Sequence, residues 1–108
     1  KRLRRRYSSI ADINAAKKRK LADLDTNIAI IHSNISTKKS AIKEQHDKAA
    51  NIERSGRDVP KVVLKKLTTL ENELEDSQEQ VRLRLLEYQE VVDKYDRDKV
   101  RFEEISVR

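Results

Sequence analysis

Apolar residues recur every three or four positions along the first half of the chain, in one continuous phase. Eleven of the fifteen positions in this series are apolar. Sustained heptad spacing of this kind is typical of a helix that packs along one narrow seam. The pattern therefore predicts a first long helix over residues 1–54. The series comprises Leu3, Tyr7, Ile10, Asn14, Lys17, Leu21, Leu24, Ile28, Ile31, Ile35, Lys38, Ile42, Gln45, Ala49 and Ile52.

The series stops at residues 55–60, a short segment that contains the only Gly and the only Pro of the sequence. Gly56 can adopt the left-handed conformation that ends a helix. Asp58 can cap the following helix, and Pro60 suits a first helical turn. We therefore predict a helix–helix corner at 55–60 and a second long helix over residues 61–108. Two helices of similar length joined by a short loop form an antiparallel hairpin. The predicted fold is all-α, a long antiparallel two-helix coiled coil.

The second predicted helix carries an apolar series with a strict seven-residue spacing. Its members are Leu67, Leu74, Val81, Tyr88, Tyr95 and Phe102. Further apolar residues flank it, with Val63, Leu70, Val91 and Ile105 on one side and Leu64, Leu85 and Val92 on the other. This stripe is wider than one packed helix covers. We therefore expect helices of a second copy or of another protein to complete a three- or four-helix bundle, with the six residues of the series as the partner interface.

Four polar residues interrupt the seam of the first helix: Asn14, Lys17, Lys38 and Gln45. Polar seam residues lower stability but can fix register and partner choice. Alternatively, they face solvent because the helices separate there. The sequence leaves both interpretations open.

Composition excludes several classes of protein. Charged residues make up 41% and hydrophobic residues 36% of the chain, which is too little apolar material for a compact multilayer core. The lack of cysteine excludes disulfide frameworks and thiolate chemistry, and only His32 and His46 remain as possible imidazole ligands. No apolar run approaches the ~20 residues that span a bilayer. We expect no cofactor, no membrane partner and no small-molecule substrate. Because the chain begins at Lys1, we interpret it as part of a longer protein.

Catalytic chemistry is also not expected. Several serines share the first helix with His32, but an exposed helical surface supplies neither an enclosed pocket nor oxyanion donors. A single glycine cannot build a Gly-rich phosphate loop. We predict that the protein is not an enzyme.

Basic charge is concentrated in the first half. Residues 1–54 hold 14 basic and 6 acidic side chains, whereas residues 55–108 hold 11 and 13. Two basic blocks resemble a bipartite nuclear-import signal and also suit phosphate contact. The aromatic residues lie mostly on the second seam, so any DNA contact would be electrostatic and independent of sequence. The candidate import or phosphate-contacting residues are Arg4, Arg5, Arg6, Lys17, Lys18, Arg19 and Lys20.

Two stretches resemble the N-terminal helical domain of the inhibitor-of-growth (ING) family. In residues 81–103 the similar features are the run Tyr88–Lys94, then Arg97-Asp98 and Arg101-Phe102-Glu103. Near the start, residues 3–7 followed by residues 10–13 are similar to that family's opening. The middle of the chain matches only in pattern, and the Leu-Pro that usually precedes the first helix is missing.

The resemblance implies a helical module that dimerises or docks onto other subunits and anchors a histone acetyltransferase or deacetylase complex in the nucleus. The family's zinc-binding PHD finger is not in these residues, since they hold no cysteine. We therefore expect a non-catalytic scaffold of a nuclear chromatin-modifying complex. The alternative is a non-nuclear structural coiled coil of a cytoskeletal, trafficking or secretion assembly. A nucleic-acid-binding helical arm is a third possibility.

Overall fold

The computed structural model describes residues 7–107, and within them the chain forms two α-helices. Helix α1 spans Ile10–Arg54 and helix α2 spans Lys61–Val107. The prediction of an all-α antiparallel two-helix hairpin is confirmed, and so is a corner between residues 54 and 61. Residues 7–9 precede α1, so the prediction that residues 1–54 form one helix is wrong for these three positions. Residues 1–6 lie outside the described residues.

Polar side chains fix the start of α1. The amide of Asp12 donates a hydrogen bond to Ser9 Oγ at 3.2 Å, and the amide of Ser8 donates to Asp12 Oδ2 at 3.0 Å. The Ser8 hydroxyl donates to the same carboxylate oxygen. These reciprocal bonds resemble a capping box, in which side chains satisfy the free amides of the first turn. The hydrogen bonds from Ser8 lower the pKa of Asp12, and its negative charge is favourable at a helix N-terminus.

Helix α1 ends in a Schellman motif at Gly56. The amide of Gly56 donates to the Glu53 carbonyl at 2.9 Å, and the amide of Arg57 donates to the Ile52 carbonyl at 3.2 Å. Gly56 has φ of 82°, a left-handed conformation that a side chain disfavours. The predicted role of Gly56 is therefore confirmed.

Helix α2 begins directly after Pro60. The amides of Val63 and Leu64 donate to the Pro60 carbonyl at 3.0 and 3.3 Å. Within residues 7–107 no hydrogen bond reaches the Asp58 carboxylate, so the prediction that Asp58 caps α2 is wrong. Proline can occupy this place because no amide donor is required there.

The two helices pack in two compact units. The first unit combines residues 7–28 with residues 83–107, and its core cluster is formed by Tyr7, Ile13 and Phe102. Ile13 is completely buried. Ile10, Ala16 and Tyr95 pack against this cluster.

The second unit is Ala29–Arg82, which contains the corner. Its core cluster consists of Ile31 and Ile35 from α1 and Val81 from α2, with Leu74 packed against them. Apolar seam residues of one helix therefore meet those of the other within each unit. This is the packing that the heptad pattern predicts.

Candidate protein-docking surface

The six residues of the predicted partner interface lie on the seam between α1 and α2. Leu67, Val81 and Phe102 are buried, while Leu74, Tyr88 and Tyr95 are half-buried. Val81 and Leu74 contact isoleucines of α1, and Phe102 and Tyr95 belong to the cluster that contains Ile13. These side chains hold the hairpin together, which corrects the prediction that they form a surface for a partner helix.

One of the two flanking rows completes this seam. Every position reached from Val63 to Ile105 in alternating steps of four and three residues is buried or half-buried. The row that contains Val63 and Val91 is therefore part of the internal packing. The complete seam is Val63, Leu67, Leu70, Leu74, Ser77, Val81, Arg84, Tyr88, Val91, Tyr95, Asp98, Phe102 and Ile105.

The other flanking row is largely left in solvent. Leu64 is 51% exposed and Leu85 is 55% exposed, although Val92 is half-buried. The expectation that α2 carries more apolar surface than α1 covers is therefore confirmed for this row. The apolar surface that remains lies beside the seam.

Three exposed leucines lie within one turn of α2 and form what we call the leucine patch. Leu83, Leu85 and Leu86 are 43%, 55% and 50% exposed. Leu83 and Leu86 are three residues apart, so they share one face of the helix, whereas Leu85 lies about 100° around the helix from Leu86 and about 160° from Leu83. Single exposed leucines are ordinary, but three in four residues expose more apolar area than any other turn of α2 among the described residues.

Two ion pairs lie beside the leucine patch, whereas Glu90, four residues after Leu86, is exposed and has no ion pair among the described residues. A guanidinium nitrogen of Arg84 lies 2.9 Å from Glu87 Oε1. Arg82, the residue before the patch, pairs with Glu79, and this contact lowers the pKa of Glu79. Because both arginines beside the patch already have partners within the helix, the leucines are the groups that a docked helix would change most.

The four polar residues of the α1 series lie in different environments, and only Lys17 contacts a polar partner on α2. Lys17 Nζ lies 3.0 Å from Asp96 Oδ1 of α2, and the Lys17 side chain is only 23% exposed. The hydrogen bond from Lys17 lowers the pKa of Asp96. Asn14 is exposed, because Ile13 takes the buried position. Lys38 and Gln45 are half-buried.

One carboxylate of the α2 seam is poorly satisfied. Asp98 Oδ2 is buried and has no hydrogen-bond partner within residues 7–107. Lys94 forms a long ion pair with this oxygen, with 3.9 Å between Lys94 Nζ and Asp98 Oδ2. A polar atom buried without a hydrogen bond costs stability, so Oδ2 of Asp98 weakens the seam where it lies.

The candidate import or phosphate-contacting residues are only partly described. Lys18, Arg19 and Lys20 are exposed, whereas Lys17 is engaged by Asp96. Arg4, Arg5 and Arg6 lie outside the described residues. The second basic block therefore offers three accessible cations at most.

Side chains capable of metal binding or catalysis are scattered over the two helices. No group of three or more His, Asp or Glu side chains within residues 7–107 could hold a metal ion. His32 lines a shallow groove on α1 with Ser36 and Ser40, but no hydrogen bond joins its imidazole to either of these serines. Neither described helix is long and apolar enough to cross a membrane.

Comparisons with known proteins give no relative. No family model, no curated protein and no solved structure matches this chain. The resemblance to the ING family therefore stays a prediction.

The leucine patch is the strongest candidate site in the part of the chain that the structure describes. Only Leu85 of its three members belongs to the apolar rows that the seven-residue spacing singles out. Leu83 and Leu86 could have been found from the sequence, since both are large apolar residues away from the heptad seam.

Proposed function

We propose that the protein is a non-catalytic assembly subunit whose helical hairpin receives a helix of another protein on the leucine patch. The observation that carries this proposal is the exposure of Leu83, Leu85 and Leu86 beside a seam that α1 already fills. Full burial of a leucine contributes about 1.5–3 kcal/mol, so covering the exposed half of Leu86 and of one neighbouring leucine would contribute roughly 1.5–3 kcal/mol. That is enough for a central cluster in a helix–helix contact but small for a complete interface.

A more specific form of the proposal is a scaffold in a nuclear histone acetyltransferase or deacetylase complex. Its support is the ING-like stretches in residues 3–13 and 81–103, together with the exposed basic residues Lys18, Arg19 and Lys20. The leucine patch lies within the second of these stretches. The docking proposal does not depend on this form, because a non-nuclear coiled-coil assembly would use the same patch.

The test compares two variants of similar size. Leu85→Gln with Leu86→Gln removes most of the patch, and Ile30→Gln with Val100→Gln removes two exposed apolar side chains elsewhere. Glutamine keeps helix propensity close to that of leucine, so circular dichroism should show two folded proteins. Cross-linking and mass spectrometry on the native assembly should lose partner contacts only in the patch variant. Retention of every contact by the patch variant would refute the docking proposal.

Light scattering distinguishes the possible partners. A mass near twice 12.6 kDa that falls to 12.6 kDa in the patch variant would identify a second copy as the docked chain. A monomer would exclude a second copy as the docked chain, and the cross-linking experiment then tests for a different protein.

Localisation separates the nuclear proposal from the alternative. Replacement of the candidate import residues by Gln should move the protein out of the nucleus if the chromatin form is right. An unchanged, cytoplasmic distribution of both proteins would favour the cytoskeletal, trafficking or secretion assembly. The residues to replace are Arg4, Arg5, Arg6, Lys17, Lys18, Arg19 and Lys20.

A further inference from the structure

A second surface lies around the corner between the helices, and it shares no residue with the leucine patch. Six basic side chains fall within residues 48–66, against two acidic ones, Glu53 and Asp58. All six are exposed, and no carboxylate oxygen within the described part of the chain lies within 4.0 Å of their charged nitrogens. The six are Lys48, Arg54, Arg57, Lys61, Lys65 and Lys66.

Neutral groups are the hydrogen-bond partners of two of these cations. Arg57 Nε donates to Ser55 Oγ at 3.0 Å, and Arg54 donates to the side-chain oxygen of Asn51. Neither contact neutralises the charge. The positive potential of this region is therefore available to a partner.

Two exposed aliphatic side chains lie among the lysines of the first turns of α2. Val62 is 73% exposed and Leu64 is 51% exposed. At about 100° per residue, the order around the outer side of the helix is Leu64, Lys61, Lys65, Val62 and Lys66. Lys61 and Lys65 therefore lie between the two aliphatic residues, which are about 160° apart around the helix. We call the six cations together with Val62 and Leu64 the basic tip.

We propose that the basic tip binds the anionic headgroups of a phospholipid surface. Lysines at such a surface pair with phosphates, while neighbouring aliphatic side chains enter the boundary between headgroups and acyl chains. The lysine stems can lie along the same boundary and keep their ammonium groups in water. This contact is peripheral, so it needs no spanning helix, and it departs from the sequence-based expectation of no membrane partner.

The composition of the basic tip favours lipid over nucleic acid. Phosphates of DNA or RNA would engage the cations, but such a contact gives Val62 and Leu64 no role. Proteins that hold single strands also use aromatic platforms for the bases. Tyr88, Tyr95 and Phe102 instead lie on the seam between the helices, outside the basic tip.

The first experiment measures binding of the 108-residue chain to vesicles. Co-sedimentation at moderate salt should detect binding to phosphatidylcholine vesicles that contain phosphatidylserine and no binding to pure phosphatidylcholine. Failure to bind the anionic vesicles would overturn the proposal, as would equal binding to both compositions.

Two triple variants with the same change in net charge locate the contact. Lys61→Gln, Lys65→Gln and Lys66→Gln remove half of the cations of the basic tip. Lys18→Gln, Arg19→Gln and Lys20→Gln form the matched control, and all six positions are exposed. Each basic residue at a membrane surface contributes about fivefold in affinity, so the tip variant should bind on the order of 100-fold more weakly. An equal or larger loss in the control variant would overturn the assignment to the basic tip.

The aliphatic residues supply the decisive comparison with nucleic acid. Val62→Gln with Leu64→Gln keeps every cation and should weaken vesicle binding by about tenfold or more. Ile30→Gln with Val100→Gln, two comparably exposed apolar positions, should change it little. Duplex DNA titrated at the same salt is the competing arm. DNA binding stronger than vesicle binding per accessible phosphate, and insensitive to Val62→Gln with Leu64→Gln, would identify a nucleic-acid surface and overturn the lipid proposal.

Discussion

Replacement of Ile13 by Ala tests the packing of the first unit against the sequence pattern. The heptad series places Asn14 on the seam, whereas the structure buries Ile13 completely between Tyr7 and Phe102 and leaves Asn14 exposed. The two patterns therefore predict opposite results. If the heptad series is right, truncation of Asn14 lowers the free energy of unfolding more, and if the structure is right, truncation of Ile13 does.

The magnitude for Ile13→Ala follows from the atoms removed. The substitution deletes three buried carbon atoms at about 0.8 kcal/mol each and leaves a cavity that the surrounding side chains fill only in part. Alanine has a higher helix propensity than isoleucine, which offsets about 0.4 kcal/mol. The expected loss in the free energy of unfolding is about 2–4 kcal/mol. Asn14→Ala removes no buried contact and should stabilise by a few tenths of a kcal/mol through propensity alone.

Urea unfolding followed by far-ultraviolet ellipticity measures both variants under the same conditions. Ile30→Ala is the control for side-chain size, because Ile30 is 55% exposed and its truncation should cost little. A larger destabilisation from Asn14→Ala than from Ile13→Ala would refute the register in which Ile13 occupies the seam. Equal effects of Ile13→Ala and Ile30→Ala would refute the burial of Ile13.

Three other changes test separate contacts. Because the folded pKa of Asp96 is lowered, its pair with Lys17 stabilises fully above the unfolded pKa near 4 and loses this effect as pH falls through the folded pKa. A double-mutant cycle of Lys17→Gln and Asp96→Asn should therefore show coupling at about pH 7 that becomes smaller as the pH falls below about 4. Gly56→Ala should cost about 1 kcal/mol or more in urea unfolding, and unchanged stability would contradict the left-handed corner. Ser9→Ala should cost about 1 kcal/mol and speed amide exchange at the Asp12 amide, whereas unchanged exchange would exclude the cap.

The helices and the corner could be predicted from the sequence because their signals are local. A strict seven-residue spacing defines α2, and one glycine and one proline define the corner. The start of α1 is less predictable. The heptad series includes Tyr7, but Ser8 and Ser9 form the cap at the N-terminus of the helix, so the helix begins after them. A cap competes with the apolar pattern, and in this chain the cap decides where the helix begins.

Which flank of the α2 series is internal could not be read from composition alone. The row with Val63 also contains Ser77, Arg84 and Asp98, so it is hardly more apolar than the row with Leu64. Packing against a single helix requires alternating steps of three and four residues, and both rows supply them when combined with the seven-residue series. Only the structure distinguishes the rows, because the first is buried or half-buried throughout whereas Leu64 and Leu85 are exposed. Ser77, Arg84 and Asp98 are half-buried in the seam because the large apolar residues before and after them pack against α1.

The apolar residues that lie outside the seam are the candidates for partner surfaces. Among the described residues, seven large apolar side chains are then exposed, and two of them, Ile30 and Val100, are isolated. Isolated cases are ordinary on a protein surface and need no partner. The other five fall in two places: the leucine patch, whose neighbouring arginines both have carboxylate partners, and the basic tip, whose six cations have none. This difference in charge pairing is the reason that we assign a helix to the first surface and an anionic lipid surface to the second.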